Sequence, residues 1–354
     1  MSLSKSLSPV LAPSRILPVL TDSLRANAPL WVLLAFYWAV NLAIVWQVPE
    51  INKTPSTSDQ IVLLLGGIYF FLYLVGRTVH LALTGNKAPL HALANEIFDL
   101  KRFLNGFHVI FAFLPFIALF SEIKVAIPYL QPFAWDMAFY QADLVLHGGV
   151  LPHEWLSPLL AWPRVMSGIN FAYHLWFFIM WALLLAFAFQ REASALRMRY
   201  LLSFFGLWII AGSFAAIAFS SAGPCYFGLI GLSPDPYAGL MRALHQIHAV
   251  EPLMALDLQA RLWEGYEDKH FDHGISAMPS LHNATSILFA LVCFRVNRWL
   301  GWAFSLFALI IAVGSVILGW HYAVDAYVGW MITYAIWKAM GPISRRLTTQ
   351  GALP

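Results

Sequence analysis

Eight apolar runs, each about as long as a membrane helix, constrain this chain more than any other feature of its sequence. A helix needs about 20 apolar residues to cross a bilayer. Only 11% of the 354 residues are charged, whereas charged residues make up about a quarter of an ordinary soluble domain. The sequence therefore predicts an all-α integral membrane protein with about eight transmembrane helices. The runs lie at 29–48, 60–80, 105–125, 168–189, 200–221, 280–296, 299–319 and 321–340.

The apolar runs divide the chain into three predicted parts. Residues 1–104 hold a tail and two extra membrane helices, 105–340 form a six-helix core, and 341–354 are a second tail. Within the core, 130–165 is too polar to span a membrane and too apolar for a free loop, so we expect interfacial helices there. The largest polar insertion is 222–279, and a loop of that length usually has a function.

Lysine and arginine indicate how the chain crosses the membrane, because cytoplasmic loops are enriched in both. If the N-terminus is cytoplasmic, fifteen of the 21 basic residues fall inside and six fall outside. We therefore expect both termini in the cytoplasm. The N-terminal 25 residues lack a compact apolar core with a cleavage site, which favours a retained tail over a signal peptide. The lack of a long eukaryotic tail favours a bacterial inner membrane.

Composition also argues against several partners. The net charge is only +3 and the basic residues are scattered, so no nucleic-acid partner is expected. The two cysteines, Cys225 and Cys293, are predicted near opposite membrane faces, and no metal-ligand spacing exists. We expect no metal and no cofactor.

The predicted orientation places three polar segments on the outer face. They are SSAGPCYFG at 220–228, GISAMPSLHNATS at 274–286 and GWHYAVDAYVGW at 319–330. Each stands at the outer end of a different predicted span. Any chemistry is therefore expected outside the cytoplasm.

His321 and Asp325 are the first candidate catalytic pair. Residues four apart share one face of a helix, so the carboxylate can accept a hydrogen bond from one imidazole nitrogen. The other nitrogen is then free to act as a nucleophile or base. The structural alternative is a buried hydrogen bond that only ties helices together.

His282 is the second candidate, at the start of the sixth span. Pro279 and Ser280 precede it, and both are common where a helix begins. The presence of Pro279 and Ser280 is therefore explained in part by the start of a helix alone. However, a helix start offers free N–H groups to an anion, and His321 occupies the matching place on the eighth span. Two such histidines predict a phosphate site.

The stretch PSLH at 279–282 and the later HYAVD at 321–325 resemble the second and third motifs of the type-2 phosphatidic-acid phosphatase superfamily. The usual second motif is Pro-Ser-Gly-His. Leucine in place of glycine, with WHYAVD, is closer to the branch that contains inositol-phosphorylceramide synthases. The segment DMAFYQADLVLHGG at 136–149 is also similar to the interfacial region of that branch. The resemblance covers about residues 105–340.

The resemblance implies a role for each matching residue. His321 would attack phosphorus and form a phosphohistidine, and Asp325 would orient it. His282 would protonate the leaving oxygen and then activate the acceptor. Ser280 would donate a hydrogen bond to a phosphoryl oxygen.

One departure bears on the substrate. Phosphatase members of the family carry a Lys and, seven residues on, an Arg-Pro that bind phosphate, but 220–228 contains no cation. Nor does an arginine precede the third-motif histidine, where Ser315 stands instead. Fewer cations suit a phosphodiester better than a phosphomonoester. Other cations in the outer loop could supply charge, namely Arg242, Arg261 and Lys269.

These observations favour a membrane phosphotransferase that moves a phospho-head-group from a phospholipid or lipid-phosphate donor to a lipid acceptor. The alternative within the family is a phosphatase of lipid phosphates or isoprenyl pyrophosphates, with water as acceptor. Pro279 and Tyr226 are further candidates for substrate binding. A transporter or lipid-binding protein is a third reading, but no inverted repeat is apparent and the ionisable residues lie at one face.

Overall fold

The computed structural model describes residues 13–48, 58–268 and 274–350, and the regular elements in these ranges are helices. Each of the eight apolar runs coincides with one long helix. The helices are α1 (Pro13–Val45), α2 (Ser58–Leu83), α3 (Pro89–Ile97), α4 (Leu100–Leu130), α5 (Asp136–Leu146), α6 (Pro152–Leu156), α7 (Pro163–Ala188), α8 (Ala195–Ala218), α9 (Ala238–His248), α10 (Met254–Glu267), α11 (Leu281–Val296), α12 (Arg298–Ile317) and α13 (Ala323–Gln350).

Five of these helices are long and apolar enough to cross a membrane: α1, α4, α7, α8 and α12. Helix α11 is apolar but has only 16 residues. The all-helical, membrane-protein prediction is supported by these elements, whereas the number of eight spans stays a prediction. Part of the predicted N-terminal tail, residues 1–12, lies outside the described residues.

Helix α11 occupies the middle of the bundle. It packs against α7, α8, α12 and α13, while α4 contacts α7 and the C-terminal part of α8. Residues 287–294 are apolar on all sides of the helix, and Leu288, Phe289 and Val292 are fully buried, as expected of a helix surrounded by others. Large apolar side chains stay exposed on the outer helices, among them Phe103 on α4 and Trp302 on α12. Such surfaces suit contact with lipid.

A buried polar cluster joins α1 to the bundle at the first turn of α8. The guanidinium of Arg197 is fully buried. Its Nε donates to the carbonyl of Phe187 at 2.9 Å, and its Nη2 donates to Asn27 Oδ1 at 2.9 Å and to the carbonyls of Asn105 and Ala188. The cluster fixes one end of α8, and the other end leads into the segment 220–228.

The segment predicted to lie at the membrane interface forms short helices. It contains α5, α6 and a 3₁₀ turn at Ser157–Ala161. Helix α5 packs against the start of α13. The segment 222–279, predicted to be an outer loop, contains a 3₁₀ turn at Pro224–Tyr226 and the helices α9 and α10.

Candidate active site

The three polar segments predicted to converge are joined by hydrogen bonds. Ser221 accepts from the backbone N–H of Ala277 at 3.0 Å through its carbonyl and from that of Met278 at 3.2 Å through its hydroxyl. The N–H of Cys225 donates to the carbonyl of Gly319 at 2.9 Å. Residues from the ends of α8, α11 and α13 therefore meet in one place.

Gly223 allows this close approach. Its φ of +103° is a conformation that side chains rarely adopt. A Cβ atom there would lie 2.7 Å from the carbonyl oxygen of Trp320 and 3.2 Å from the Cβ of Ala277. A larger residue at 223 would push the other two segments away.

His321 and Asp325 form the predicted hydrogen bond. The Nδ1 atom lies 3.1 Å from Asp325 Oδ2, with the carboxylate fully buried and the imidazole 7% exposed. The same oxygen accepts from the N–H of Tyr322 at 3.2 Å. The ring is also hydrogen-bonded to the backbone of Ala277.

The backbone positions of the two bonded residues, His321 and Asp325, differ from those that the sequence argument expected. Both residues were expected on one face of a helix, but α13 begins at Ala323, so His321 is not helical. Asp325 instead reaches back from the first turn to the residues before it. The bond joins the helix to the preceding segment, and for that reason it depends on how the segment is held.

Two carboxylates from α5 hold that segment, and the sequence argument assigned a role to neither. Asp143 accepts from the N–H groups of Ala323 at 2.8 Å and Val324 at 2.9 Å, and thereby caps α13. Burial raises the pKa of the Asp143 carboxyl, and the two N–H donors oppose that rise. A second carboxylate, Asp136, lies seven residues earlier.

Asp136 ties the other loop to the same helix start. It accepts from the N–H groups of Ala222 at 2.9 Å and Gly223 at 2.8 Å, and from the Tyr322 hydroxyl at 2.8 Å. Burial raises the pKa of this carboxyl as well. The seven-residue spacing puts Asp136 and Asp143 on one helix face, which is the sequence signal that could have indicated them.

Ser280 is the N-cap of α11, as its sequence context predicts. Its hydroxyl oxygen accepts from the backbone N–H of Asn283 at 3.4 Å and from the Asn283 side-chain amide at 3.0 Å. The same amide donates to Ser315 at 3.1 Å. Because the Ser280 oxygen only accepts in these bonds, its own proton is free to be donated. Pro279 is buried beside it.

His282 lies in the first turn of α11 between aromatic rings. Its ring centroid is 4.5 Å from that of Tyr173, with the planes 16° apart, and 4.0 Å from that of Trp176. The Trp176 indole N–H donates to the Thr285 hydroxyl at 2.7 Å, and this bond holds the indole ring in place beside His282. The ring centroids of His282 and His321 are 6.4 Å apart. The sequence argument did not identify Tyr173 or Trp176 as site residues, because both belong to α7, which is distant from His282 in the sequence.

The remaining candidates are placed differently. Tyr226 is buried, and its hydroxyl donates to the carbonyl of Gln259 at 3.0 Å. Arg242 and Arg261 are exposed on α9 and α10, and within the described ranges neither hydrogen-bonds to the histidines. Lys269 lies outside the described residues. Their roles in substrate binding stay predictions.

Comparison with known proteins gives one match. The family model described as the PAP2 superfamily matches residues 139–339, more than half of the chain. The matched region contains His282, His321 and Asp325. Searches of curated proteins and of solved structures return no match. Within the described residues, no group of three or more His, Cys, Asp or Glu side chains is arranged to hold a metal ion.

Proposed function

The chain belongs to the PAP2 superfamily, and from this premise we propose that it transfers a phospho-head-group between membrane lipids through a phosphohistidine. The observation that carries the proposal is the arrangement of two histidines 6.4 Å apart, one of them hydrogen-bonded to a buried carboxylate. Membership alone supports phosphatase or phosphotransferase activity. The choice of transfer, the lipid substrates and the mechanism are our proposal.

In the first step, His321 attacks the phosphorus of the donor lipid. Its Nδ1 faces Asp325, so the attacking atom is Nε2, and the interaction with Ala277 gives way to substrate. The new P–N bond forms as the P–O bond to the leaving lipid breaks. His282 gives its proton to the leaving oxygen, and the Ser280 hydroxyl donates to a phosphoryl oxygen.

In the second step, the acceptor hydroxyl gives its proton to His282 and attacks phosphorus from the vacated side. The new P–O bond forms, the P–N bond breaks, and the electron pair returns to His321. Reacting atoms approach to about 3–3.5 Å, and an acid lies about 2.6–3.2 Å from its oxygen. The 6.4 Å between the two imidazole centroids is therefore about the distance needed to hold one phosphoryl group between them.

Transfer is favoured over hydrolysis because the loop 220–228 has few free groups with which to bind an anion. The N–H groups of Ala222 and Gly223, which could bind a phosphate, are taken by Asp136. Together with the absence of Lys or Arg at 220–228, this suits a phosphodiester with one negative charge. Hydrolysis of a lipid phosphate differs from this scheme only in having water as acceptor.

The location of the reaction is part of the proposal. The distribution of Lys and Arg supports eight spans with cytoplasmic termini. On this topology we propose that the site faces away from the cytoplasm, and we propose a bacterial inner membrane as its location. The scheme assigns no step to a metal ion.

The proposed function is tested with purified protein in detergent and EDTA. Radiolabelled phosphatidylinositol and phosphatidic acid are offered separately, each with and without ceramide or diacylglycerol. We expect a new phospholipid only when an acceptor is present, and none from His321→Ala. Free phosphate from phosphatidic acid alone would replace transfer by hydrolysis, and dependence on an added metal would contradict the scheme.

A further inference from the structure

A cavity lies at the end of α8 opposite the candidate active site. Its volume is about 480 Å³, and its walls come from α1, the first turns of α4 and the residues that lead into α8. Ligand pockets in proteins usually have volumes of about 300–1,000 Å³. Helix α8 has 24 residues and is therefore about 36 Å long, so the cavity is separate from the site at the C-terminal end of this helix.

The charges of the cavity favour an anion. Three basic side chains line it, namely Arg25 of α1, Lys101 of α4 and Arg191, which precedes α8. Two carboxylates, those of Asp22 and Glu192, line it as well, so the net charge is +1. Within the described ranges, Arg25 and Lys101 form no ion pair and no side-chain hydrogen bond. Their charges are therefore available to a ligand, and cationic side chains bind phosphate groups strongly.

Hydrogen bonds hold the cavity wall in shape. The Asn105 side chain is 4% exposed and donates to the carbonyls of Gln190 and Arg191 at 3.0 Å each. Its Oδ1 accepts from the Ser23 hydroxyl at 3.2 Å. The Arg191 guanidinium is held in turn by Asp99, at 2.8 Å. These bonds join α1, α4 and the segment before α8, so a ligand does not need to order the wall when it binds.

An exposed apolar strip continues from the cavity along α1. Arg25 and Pro29 line the cavity, and Val32 and Phe36 follow at spacings that keep all four residues on one face of the helix. Val32 is 68% exposed and Phe36 is 50% exposed. A phospholipid has a charged head group joined to apolar chains, and the cavity and the strip match these two parts. A soluble anion would use only the cavity.

We propose that the cavity binds the head group of an anionic phospholipid, with one acyl chain along Val32 and Phe36. The three basic side chains bind the phosphate oxygens, and the two carboxylates accept hydrogen bonds from head-group hydroxyls. The net charge of +1 matches a lipid with one negative charge, such as phosphatidylglycerol. Basic pockets between membrane helices on the cytoplasmic side recognise lipid head groups in this way. The inference goes beyond the proposed function and does not depend on it.

Photolabelling tests the inference at a defined position. A phosphatidylglycerol with a diazirine near the head-group end of one acyl chain is added to detergent-purified protein, and labelled peptides are mapped by mass spectrometry. We expect label between Pro29 and Phe36 in the wild type, and labelling weakened about tenfold or more in the double variant Arg25→Gln, Lys101→Gln. The matched control is Arg164→Gln, Lys338→Gln, which removes the same charge from exposed positions outside the cavity and should label like the wild type.

Competition on the wild type gives a second measurement that needs no variant. Unlabelled phosphatidylglycerol should suppress the label at about a tenth of the concentration needed for phosphatidylcholine with the same chains. Glycerol phosphate at the same concentration should have no effect. Equal competition by phosphatidylcholine would mean apolar contact without head-group recognition, and equal competition by glycerol phosphate would mean a site for soluble anions.

Either of these results overturns the inference, as does unchanged labelling of a folded double variant. Label that maps only to residues outside α1 also overturns it. None of these outcomes depends on lipid turnover at His321, so the proposed function is tested separately.

Discussion

Two buried polar clusters lie near opposite ends of α8, and they differ in how many of their polar atoms are hydrogen-bonded. At the first turn, Arg197 gives four hydrogen bonds to carbonyl and amide oxygens, with one nitrogen, Nη1, left without a partner in the described chain. Toward the far end, several buried polar atoms have no hydrogen-bond partner among the described residues. They are Asp325 Oδ1, Asn283 Oδ1, Ser220 Oγ, Gln259 Oε1 and the Tyr173 hydroxyl.

The difference shows that burial of a polar group does not by itself indicate function. Nearly all buried polar groups in proteins are hydrogen-bonded, and each exception needs an explanation. The Arg197 cluster is nearly satisfied and joins α1 to α8, so we interpret it as structural. Asp325 Oδ1, on the carboxylate that is bonded to His321, and the Tyr173 hydroxyl, on the ring stacked against His282, are atoms that a substrate could satisfy. Substitutions in the first cluster should reduce stability, whereas those in the second should reduce turnover.

The largest effect is expected at His321. His321→Ala removes the proposed nucleophile, and turnover should fall by about 10⁴-fold or more. Thermal melting in detergent should change little. His108→Ala on α4 is the matched control, since that imidazole bonds to Trp31 and its loss should leave turnover near the wild-type rate. Comparable turnover in His321→Ala would place the chemistry elsewhere.

The converse behaviour is expected at Arg197. Arg197→Met leaves the carbonyls of Phe187 and Ala188 and the amide oxygen of Asn27 without their donor, which should cost about 3 kcal/mol of stability. The melting temperature should drop, while the turnover of the fraction that remains folded stays close to normal. If Arg197→Met is stable but has greatly reduced turnover, the two clusters do not differ in function as we infer.

Asp325→Asn should have a smaller effect on turnover than the loss of His321. Asparagine keeps the shape but cannot stabilise a charged imidazole, so we expect a loss of about 10²-fold. The value of kcat should fall more than KM rises. Equal activity in Asp325→Asn would mean that the hydrogen bond to His321 serves the fold alone.

The smallest effect is expected at Asp143, which positions the segment without contacting substrate. In Asp143→Asn, only one of the N–H groups of Ala323 and Val324 keeps an acceptor, and turnover should fall about tenfold. Glu264→Gln on the exposed face of α10 is the control. If the melting temperature falls while kcat per folded molecule does not change, Asp143 only supports the fold.

The helices were largely predictable because an apolar run of fixed length leaves few alternatives in a membrane. Each predicted run coincides with a helix, and the Ser280 cap stands where its sequence context places it. The His321–Asp325 pair was predictable for a similar reason, since four residues of separation limit the distance between two side chains. Its geometry was not, because α13 begins two residues after His321.

Other parts of the site depend on contacts between distant segments. Tyr173 meets His282 only because α7 packs against α11, and the backbone of Lys124 meets the segment before Ser280 only because α4 packs beside Gly274. Local periodicity contains no information on either contact. The spacing of Asp136 and Asp143 puts them on one helix face, but it does not indicate their hydrogen-bond partners, which lie 86 to 186 residues further along the chain.

The central claim is that His321 carries the phosphoryl group while His282 moves the proton, and a leaving group that needs no proton separates the two roles. A ³²P-labelled alkyl p-nitrophenyl phosphodiester is mixed with His282→Ala in a stopped-flow instrument. We expect a burst of about one p-nitrophenolate per protein, slow turnover afterwards, and ³²P that is stable to alkali, labile to acid and mapped to His321. No burst from His282→Ala while the wild type turns over the same diester, or label on another residue, would contradict the account.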